Sequence, residues 1–307
     1  MNIQFRKYQA LGNDYIVIDP REFPFIPEGE AIRAVCDRNF GAGSDGILFG
    51  PLSRVDDLEG LPAGRIAEGL VPWLRIFNPD GSEAEKSGNG LRIFCLYLAE
   101  RGYVDSDPFH VDTKGGRVFA QVESIDPPSI RIDMGKPSFS AKDAGLTTDA
   151  EEFVLASLDL SDRDAAGGIY EASFVSMGNP HCVIFVEEPT AALAKRLGPL
   201  VERHPLFPEA TNVQFAKVLD RHSMRIEIWE RGAGYTLASG SSSCAAASVA
   251  KRLGMVEGRV TMNMPGGMLE LDLSSDSVLM TGPALRVFDG CFSESLLLRL
   301  RGLGALR

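Results

Sequence analysis

The sequence is poor in the residues that build metal and disulfide sites. Its five cysteines and four histidines are scattered over 307 residues, without a CxxC or clustered Cys/His pattern. Neither a metal site nor a disulfide framework is therefore predicted. No apolar run reaches the about 18 residues of a membrane-spanning helix, and the first segment lacks the apolar core of a secretory signal. We expect a protein of the reducing cytoplasm with no membrane partner.

Basic residues are also fewer than acidic residues. The 42 acidic residues outnumber the 31 basic ones, which gives a net charge of -11. An acidic surface does not attract nucleic acid or an anionic membrane, so neither is predicted as a partner. Hydrophobic residues make up 44% of the chain. This composition is typical of a globular protein with one large or two medium domains.

Short strand-like runs, alternating or apolar, occupy most of the chain. Helices are predicted at 28–38 and 190–203, which are amphipathic, and at 89–101 and 241–253, which are largely apolar. A helix that is apolar on all sides is typically buried. Many short strands with a few buried helices predict an α+β fold. The polar stretch 138–165 is interpreted as joining two halves.

Two segments of the chain, 75–102 and 225–254, resemble each other. Each reads as strand, glycine-containing loop, Ser-Gly, apolar helix and glycine, and 15 residues separate Ser87 from Gly102 and Ser239 from Gly254. Upstream of each, a Gly-Asn pair ending at Asn13 or Asn179 precedes a strand. Two matched pairs in the same order predict a duplicated fold. The alternative is that these dipeptides are common turn and cap residues.

The repeated Ser-Gly sequences lie where a loop enters an apolar helix. A helix N-terminus has unpaired N–H groups and a partial positive charge, and glycine lets a ligand approach it. Both features favour a carboxylate or phosphate. Two such ends holding one carboxylate would place its α-carbon between Ser87 and Ser239, as racemisation requires: one group removes the proton and the other delivers one. Plain N-capping is the alternative.

The chain resembles the diaminopimelate epimerase family, cofactor-independent epimerases of lysine and cell-wall precursor synthesis. The resemblance lies in ALGNDYIVID, DRNFGAGSDGILF, RIFNPDGSEAEKSGNG, SMGNPHCVIFV and SGSSSCAAA. It implies two pseudo-symmetric α+β domains, each a mixed, mainly antiparallel sheet wrapped around a central helix. Residues 1–132 with 285–307 would form one half and 133–284 the other, with the active-site cleft between them. It also implies a small amino-acid substrate and no cofactor, and it allows a homodimer.

The resemblance assigns roles to individual positions. The catalytic residues are Ser87, Ser239, His181 and Glu230, the last two flanking the bases. The residues that bind substrate are Asn13, Asn78, Gly88, Asn89, Asn179, Asn212, Arg231, Gly240 and Ser241. Among these, Asn78, Asn179, Asn212 and Arg231 would grip the distal amino-acid end, since arginine binds carboxylates bidentately. Gly88, Asn89, Gly240 and Ser241 would form the backbone cradle of the reacting carboxylate. A turn for Asn78, a strand-edge cap for Asn212 and an interior position for His181 are the structural alternatives.

The chain departs from the family at both base positions, where the family has cysteine. Thiols ionise near a pKa of ~8.5, whereas a serine hydroxyl is a far weaker acid. One explanation is that His181 and Glu230 activate Ser87 and Ser239. The others are a paralogue with different chemistry and a deliberate replacement that traps an inactive form.

Three functions remain open at this point. The leading one is a cofactor-independent amino-acid epimerase that converts LL- to meso-diaminopimelate. The second is an isomerase of another small carboxylic or amino acid, with Glu85, Lys86 or His181 as the proton-transfer group. For Glu85 and Lys86 the structural alternative is a solvated loop. The third is a catalytically silent paralogue that binds an amino acid.

Overall fold

The computed structural model describes residues 4–54, 60–62, 64–67, 69–147, 151–161 and 168–306. The chain divides into a first unit, which runs to Ile132 and resumes at Gly282, and a second unit, Asp133–Thr281. The helices are α1 (Gly29–Cys36), α2 (Gly88–Glu100), α3 (Ala191–Glu202), α4 (Gly240–Arg252) and α5 (Glu294–Gly302). The strands are β1 (Gln4–Ala10), β2 (Asn13–Ile18), β3 (Ile47–Leu52), β4 (Trp73–Phe77), β5 (Glu83–Ala84), β6 (Phe109–Thr113), β7 (Gly116–Ile125), β8 (Pro128–Asp133), β9 (Ala156–Asp159), β10 (Ile169–Ser176), β11 (Pro180–Phe185), β12 (Asn212–Asp220), β13 (Ser223–Glu230), β14 (Gly234–Thr236), β15 (Arg259–Met264), β16 (Gly267–Asp272), β17 (Leu279–Gly282) and β18 (Leu285–Cys291).

The sheet of the first unit is mixed and mainly antiparallel. β1 pairs antiparallel with β18 and β2, and β2 pairs parallel with β3. β3 then pairs antiparallel with β4, which pairs antiparallel with β5 and parallel with β6. β6, β7 and β8 continue as an antiparallel meander.

The second unit repeats this order strand for strand. β10 and β11 are antiparallel, β11 and β12 parallel, and β12 and β13 antiparallel. β13 pairs antiparallel with β14 and parallel with β15, and β15, β16 and β17 form the meander. β9 adds an edge strand beside β10. The predicted α+β class, with two similar halves, is confirmed.

Each sheet surrounds one central helix, α2 in the first unit and α4 in the second. Both helices have 13 residues, and a serine in extended conformation caps each N-terminus. Gly102 and Gly254 follow the last turns with φ of 71° and 70°, the left-handed conformation that favours glycine at a helix end. α2 contacts β1, β2, β3 and β7, and α4 contacts β10 to β13. The prediction of two buried helices is confirmed.

The remaining helices cover separate hydrophobic clusters in each unit. Residues of α1 and α5 pack with Phe23, Phe25 and Phe292 in the first unit. Residues of α3 pack with Phe174 and Phe215 in the second. The stretch 138–165, interpreted as a connection, belongs to the second unit where the structure describes it. Of the helices in the described ranges, none combines the length and apolarity needed to span a bilayer.

Candidate functional site

Ser87 lies at the N-terminus of α2 and its side chain is held from two sides. Its Oγ accepts a hydrogen bond from the backbone N–H of Gly90 at 3.0 Å, which is the N-cap interaction. The hydroxyl of Tyr15, on β2, lies 3.3 Å from the same oxygen. Tyr15 is only 6% exposed. The first unit therefore places a phenol, rather than a carboxylate or an imidazole, beside this serine.

Ser239 occupies the matching position at the start of α4 but has different neighbours. Its Oγ accepts from the N–H of Ser242 at 3.5 Å, again as the N-cap. The Ser239 side chain also acts on the carboxyl of Glu230, the last residue of β13, in the direction that stabilises the carboxylate. Thr236 of β14 donates to Glu230 Oε1 at 2.7 Å. A carboxylate is thus fixed next to the serine by a short hairpin.

The Glu230 carboxyl has an altered affinity for protons. Burial is the main cause and raises its pKa, because removal from water disfavours the charged form. The hydrogen bond from Thr236 and the nearby Ser239 side chain act in the opposite direction, since both stabilise the carboxylate. A carboxylate with a raised pKa is a stronger base than an exposed glutamate. Glu230 is therefore suited to accept a proton from Ser239.

His181, on β11, is fully buried. Its Nε2 lies 2.9 Å from Asn179 Oδ1, and its Nδ1 lies 3.1 Å from Gln214 Nε2. Because an amide nitrogen only donates, Nδ1 is the acceptor and Nε2 carries the proton. Burial, with a smaller contribution from the charge of Arg231, lowers the pKa of His181 to about 3 against the opposing effect of the hydrogen bond to Gln214. The imidazole is therefore neutral at physiological pH.

Asn13 and Asn89 lie in contact in the first unit. Asn89 Nδ2 donates to Asn13 Oδ1 at 3.2 Å, and Asn13 Nδ2 donates to Asp45 Oδ2 at 3.0 Å. The guanidinium of Arg92, with no exposed surface, donates to Asn89 Oδ1 at 2.7 Å and to the carbonyl of Gly88 at 3.3 Å. The buried Arg92, which lies inside the apolar helix, thus fixes the orientation of Gly88 and Asn89 at the start of α2.

The predicted residues for the distal grip fall into two groups. In the second unit, Asn212 Nδ2 donates to the carbonyl of Pro180 at 2.9 Å, and its Oδ1 accepts from the backbone N–H of Arg231 at 3.0 Å. The Arg231 side chain is exposed and donates to the carbonyl of Glu209. In the first unit, Asn78 Nδ2 donates to Ser82 Oγ at 2.9 Å in a tight turn.

The backbone cradle and the loop residues also have defined places. Gly88 and Gly240 are the first residues of α2 and α4 and are buried. Ser241 Oγ lies 3.5 Å from Ser239 Oγ. Glu85 is exposed in the loop before α2 and Lys86 is partly buried. The first-turn N–H groups of both helices lack intrahelical acceptors, as at any helix start.

None of the five cysteines stands at the capping position of α2 or α4, and the buried ones are poor sources of thiolate. Cys36, Cys95, Cys182 and Cys244 are buried and Cys291 is exposed. Burial raises the pKa of the Cys95 and Cys182 thiols, so neither supplies a thiolate at neutral pH. Among the residues that the structure describes, no three His, Cys, Asp or Glu side chains are grouped to hold a metal ion.

Three residues near the helix starts and His181 were not predicted from the sequence: Tyr15, Arg92 and Gln214. Tyr15 had a usable signal, since it follows Asn13 by two residues as His181 follows Asn179. The buried role of Arg92 and the contact of Gln214 with His181 depend on helix and strand packing. No spacing rule in the sequence indicates them.

Comparison with solved structures defines the class of fold. A hydroxyproline epimerase from Agrobacterium vitis matches with a TM-score of 0.64 at 13% identity, over 94% of this chain and 90% of that one. A phenazine biosynthesis protein of the PhzF family from Bacillus anthracis matches with a TM-score of 0.63 at 16% identity, over 95% and 99%. At these identities the similarity shows the fold alone, which is one that epimerases use.

Sequence comparison gives the family. The profile described as "Diaminopimelate epimerase" matches residues 5–140 and 173–287. Diaminopimelate epimerase 2 of Nostoc sp. strain PCC 7120 is 44% identical over 96% of this chain and 97% of its own length. Diaminopimelate epimerase of Desulfitobacterium hafniense is 38% identical over 95% and 98%. The chain belongs to the diaminopimelate epimerase family, and the predicted class, an isomerase of the epimerase type, is confirmed at the level of the family.

Proposed function

We propose that this chain interconverts LL- and meso-diaminopimelate without a cofactor, with Ser87 and Ser239 in place of two cysteine bases. The observation that carries the proposal is the Glu230 carboxyl, which Thr236 holds at 2.7 Å in the hairpin that leads to Ser239 at the start of a buried helix. It supplies what a serine base lacks, an acceptor for its own proton. Family membership supports the substrate.

In the proposed reaction the two serines act on opposite faces of the substrate α-carbon. Ser239 Oγ takes the α-proton while its hydroxyl proton passes to the Glu230 carboxylate. Ser87 gives its hydroxyl proton to the other face, which inverts the configuration. The first-turn N–H groups at Gly88 and Gly240 stabilise the negative charge that develops on the substrate carboxylate.

His181 enters the proposal as a positioning residue. A neutral imidazole whose Nε2–H donates to Asn179 holds the amide of that asparagine in one orientation. Gln214 in turn fixes the tautomer of His181 through Nδ1. Protonation of His181 is opposed by burial, so it is a poor proton carrier near neutral pH. We assign the base-assisting role to Glu230.

The distal end of diaminopimelate carries a second ammonium and carboxylate. Arg231 has an exposed guanidinium that suits the carboxylate, and Asn212 fixes the backbone from which Arg231 projects. Asn78, Asn179 and Asn13 are proposed as further polar contacts. This set favours a substrate with two amino-acid ends over a simple carboxylic acid.

The experiment is incubation with LL-diaminopimelate in deuterated buffer, followed by NMR and chiral analysis. The proposal predicts one solvent deuterium on the α-carbon and formation of the meso isomer. Ser239→Ala should abolish both, and Ser248→Ala, the same change further along α4, should retain exchange. Binding without exchange would instead support the silent amino-acid-binding paralogue. Exchange on another carboxylic or amino acid alone would support a divergent isomerase.

We further propose a homodimer in the cytoplasm. β18 exposes apolar side chains, with Leu285, Val287 and Phe288 about half exposed at 45%, 52% and 45%. Exposed apolar side chains on an edge of this kind suit association with a second copy. Light scattering should give twice the chain mass, and Phe288→Glu should give a folded monomer. A wild-type monomer at micromolar concentration would contradict the dimer.

A further inference from the structure

The two halves are equivalent in topology but differ in the groups beside their serines. Ile16 of β2 pairs with Ile47 of β3, and Cys182 of β11 pairs with Val213 of β12 in the same parallel arrangement. Tyr15 and His181 each follow the asparagine of a Gly-Asn pair, Asn13 or Asn179, by two residues and therefore occupy equivalent positions. A phenol in one half replaces an imidazole in the other.

The carboxylate differs between the halves in the same way. Ala84 of β5 and Thr236 of β14 pair with Ile76 and Ile228 in matching hairpins. Counted from these pairs, the position of Glu230 in the second unit is that of Asn78 in the first. Asparagine cannot take up a proton at this position. The first half thus lacks the equivalent of the group that receives a proton from Ser239.

We propose that Tyr15 is a positioning residue that orients Ser87 as the proton donor of the site, while Glu230 sets Ser239 as the proton acceptor. The inference rests on the proposed function and assigns each serine its part in the LL-to-meso conversion; in the reverse conversion the two parts are exchanged. It goes beyond the two bases and their flanking groups by assigning a role to a residue on β2.

The hydrogen-bond inventory of each serine supports this assignment. A hydroxyl has one proton to donate and two lone pairs that accept. Ser87 accepts from the N–H of Gly90 and, since a phenol is a stronger acid than an alkyl alcohol, from the hydroxyl of Tyr15. Its own proton is then available for the substrate. Ser239 accepts from the N–H of Ser242 and lies 3.5 Å from Ser241 Oγ; in the proposed step its proton passes to Glu230, and its oxygen takes the substrate's proton.

Gly46 provides the space that the Tyr15 ring occupies. A Cβ built on Gly46 would lie 2.7 Å from Cε1 of the Tyr15 ring and 2.4 Å from the carbonyl oxygen of Phe77. Only a residue without a side chain fits between these groups. Gly46 therefore allows the ring to reach Ser87 from β2.

Proton exchange with solvent completes the proton balance of the proposed step. The α-proton passes to Ser239 Oγ as the Ser239 proton passes to Glu230. Ser87 gives its proton to the opposite face of the α-carbon and receives the phenolic proton of Tyr15. The resulting carboxylic acid and phenolate exchange protons with water, which restores the starting state. No oxidant, reductant or metal takes part in the step.

The test compares Tyr15→Phe with wild type in deuterated buffer. Tyr15→Phe should lower the rate of inversion about 100-fold, the lower end of what a positioned proton-transfer group contributes. Exchange with retention should persist, because Ser239 and Glu230 still remove the proton and return a deuteron to the same face. Tyr8→Phe is the matched control. Tyr8 pairs with Tyr15 across β1 and β2, and its hydroxyl donates to Glu100 at 2.6 Å. Removal of that hydroxyl should lower stability without changing the ratio of exchange to inversion.

Repeating the Tyr15→Phe substitution in the Ser87→Cys variant distinguishes an effect on Ser87 from an effect on folding. In Ser87→Cys, a thiol delivers its proton without help from a phenol, so adding Tyr15→Phe should leave inversion unchanged. An equal loss in both backgrounds would mean that Tyr15 has only a structural role and would overturn the inference. Wild-type inversion that Tyr15→Phe does not slow would overturn it too. Absence of both exchange and inversion in the wild type would overturn the proposed function itself.

Discussion

Replacement of Glu230 by glutamine separates the proposed chemistry from the fold. The substitution keeps the shape of the side chain and an oxygen that can accept from Thr236, whose hydroxyl lies 2.7 Å away. It removes the only feature that the proposal uses, the ability of the carboxylate to accept the Ser239 proton. Positioned acid–base groups contribute about 10²–10⁴-fold to rate. At about 1.4 kcal/mol per decade, Glu230→Gln should raise the barrier by about 3–6 kcal/mol.

The same substitution should not weaken the fold. Burial raises the pKa of Glu230, so the folded state holds the proton to a higher pH than the unfolded state does. Between the two pKa values the folded state binds more protons, and the free energy of unfolding falls as pH rises. Glutamine has no such dependence. The melting temperature of Glu230→Gln relative to wild type should therefore increase with pH across this window.

The assay combines α-deuterium exchange with thermal unfolding at several pH values. The wild-type rate should rise with pH as Glu230 loses its proton, above the range of an ordinary glutamate, and Glu230→Gln should lack this limb. Glu270→Gln is the control, because Glu270 also accepts from a threonine, Thr261 at 2.9 Å, but is exposed. Wild-type activity in Glu230→Gln would refute the reasoning about Ser239.

Three other substitutions test separate parts of the account. The pair Ser87→Cys and Ser239→Cys should raise epimerase activity by about two orders of magnitude or more, since a thiol is the better base, as initial rates will show; no gain would argue for another ligand. Arg92→Met should lower the free energy of unfolding by about 1–3 kcal/mol in urea titrations, because buried acceptors such as Asn89 Oδ1 lose their donor; an unchanged midpoint would contradict this. Gly46→Ala should cost about 1–3 kcal/mol through overpacking, and a neutral effect would show that the site is less tightly packed.

The central helices could be predicted because their signals are local. A capping serine, an apolar run and a closing glycine predicted helices at 89–101 and 241–253, within one residue of α2 and α4. The serine accepts an N–H three residues on, and the glycine takes the left-handed conformation, so both ends are set by short-range chemistry. The duplicated order of these signals was sufficient to predict two similar halves.

The elements that were not predicted lack a periodic pattern. β18 exposes most of its residues, so its sequence shows no alternation between buried and exposed positions. β5 has two residues and depends on its pairing with β4. α5 buries only Leu297 and Leu300. In each case the tertiary contact, rather than local preference, decides the structure.

The candidate site was predictable in its residue types but not in its contacts. The Ser-Gly loops, Asn179 and Glu230 followed from repeated spacing and from the family resemblance. The difference between the two serines did not, because it depends on which side chain faces each hydroxyl across the sheet. Tyr15 reaches Ser87 only through the register of β2 and the space at Gly46.

The central claim is that this chain moves a proton between the two faces of one α-carbon with serine hydroxyls. The most direct measurement is the fate of the α-hydrogen of LL-diaminopimelate in deuterated water with the wild-type protein. The account predicts one deuterium at the α-carbon of the meso product, and no meso product from either Ser87→Ala or Ser239→Ala. Meso product formed at the wild-type rate by either alanine variant would contradict it.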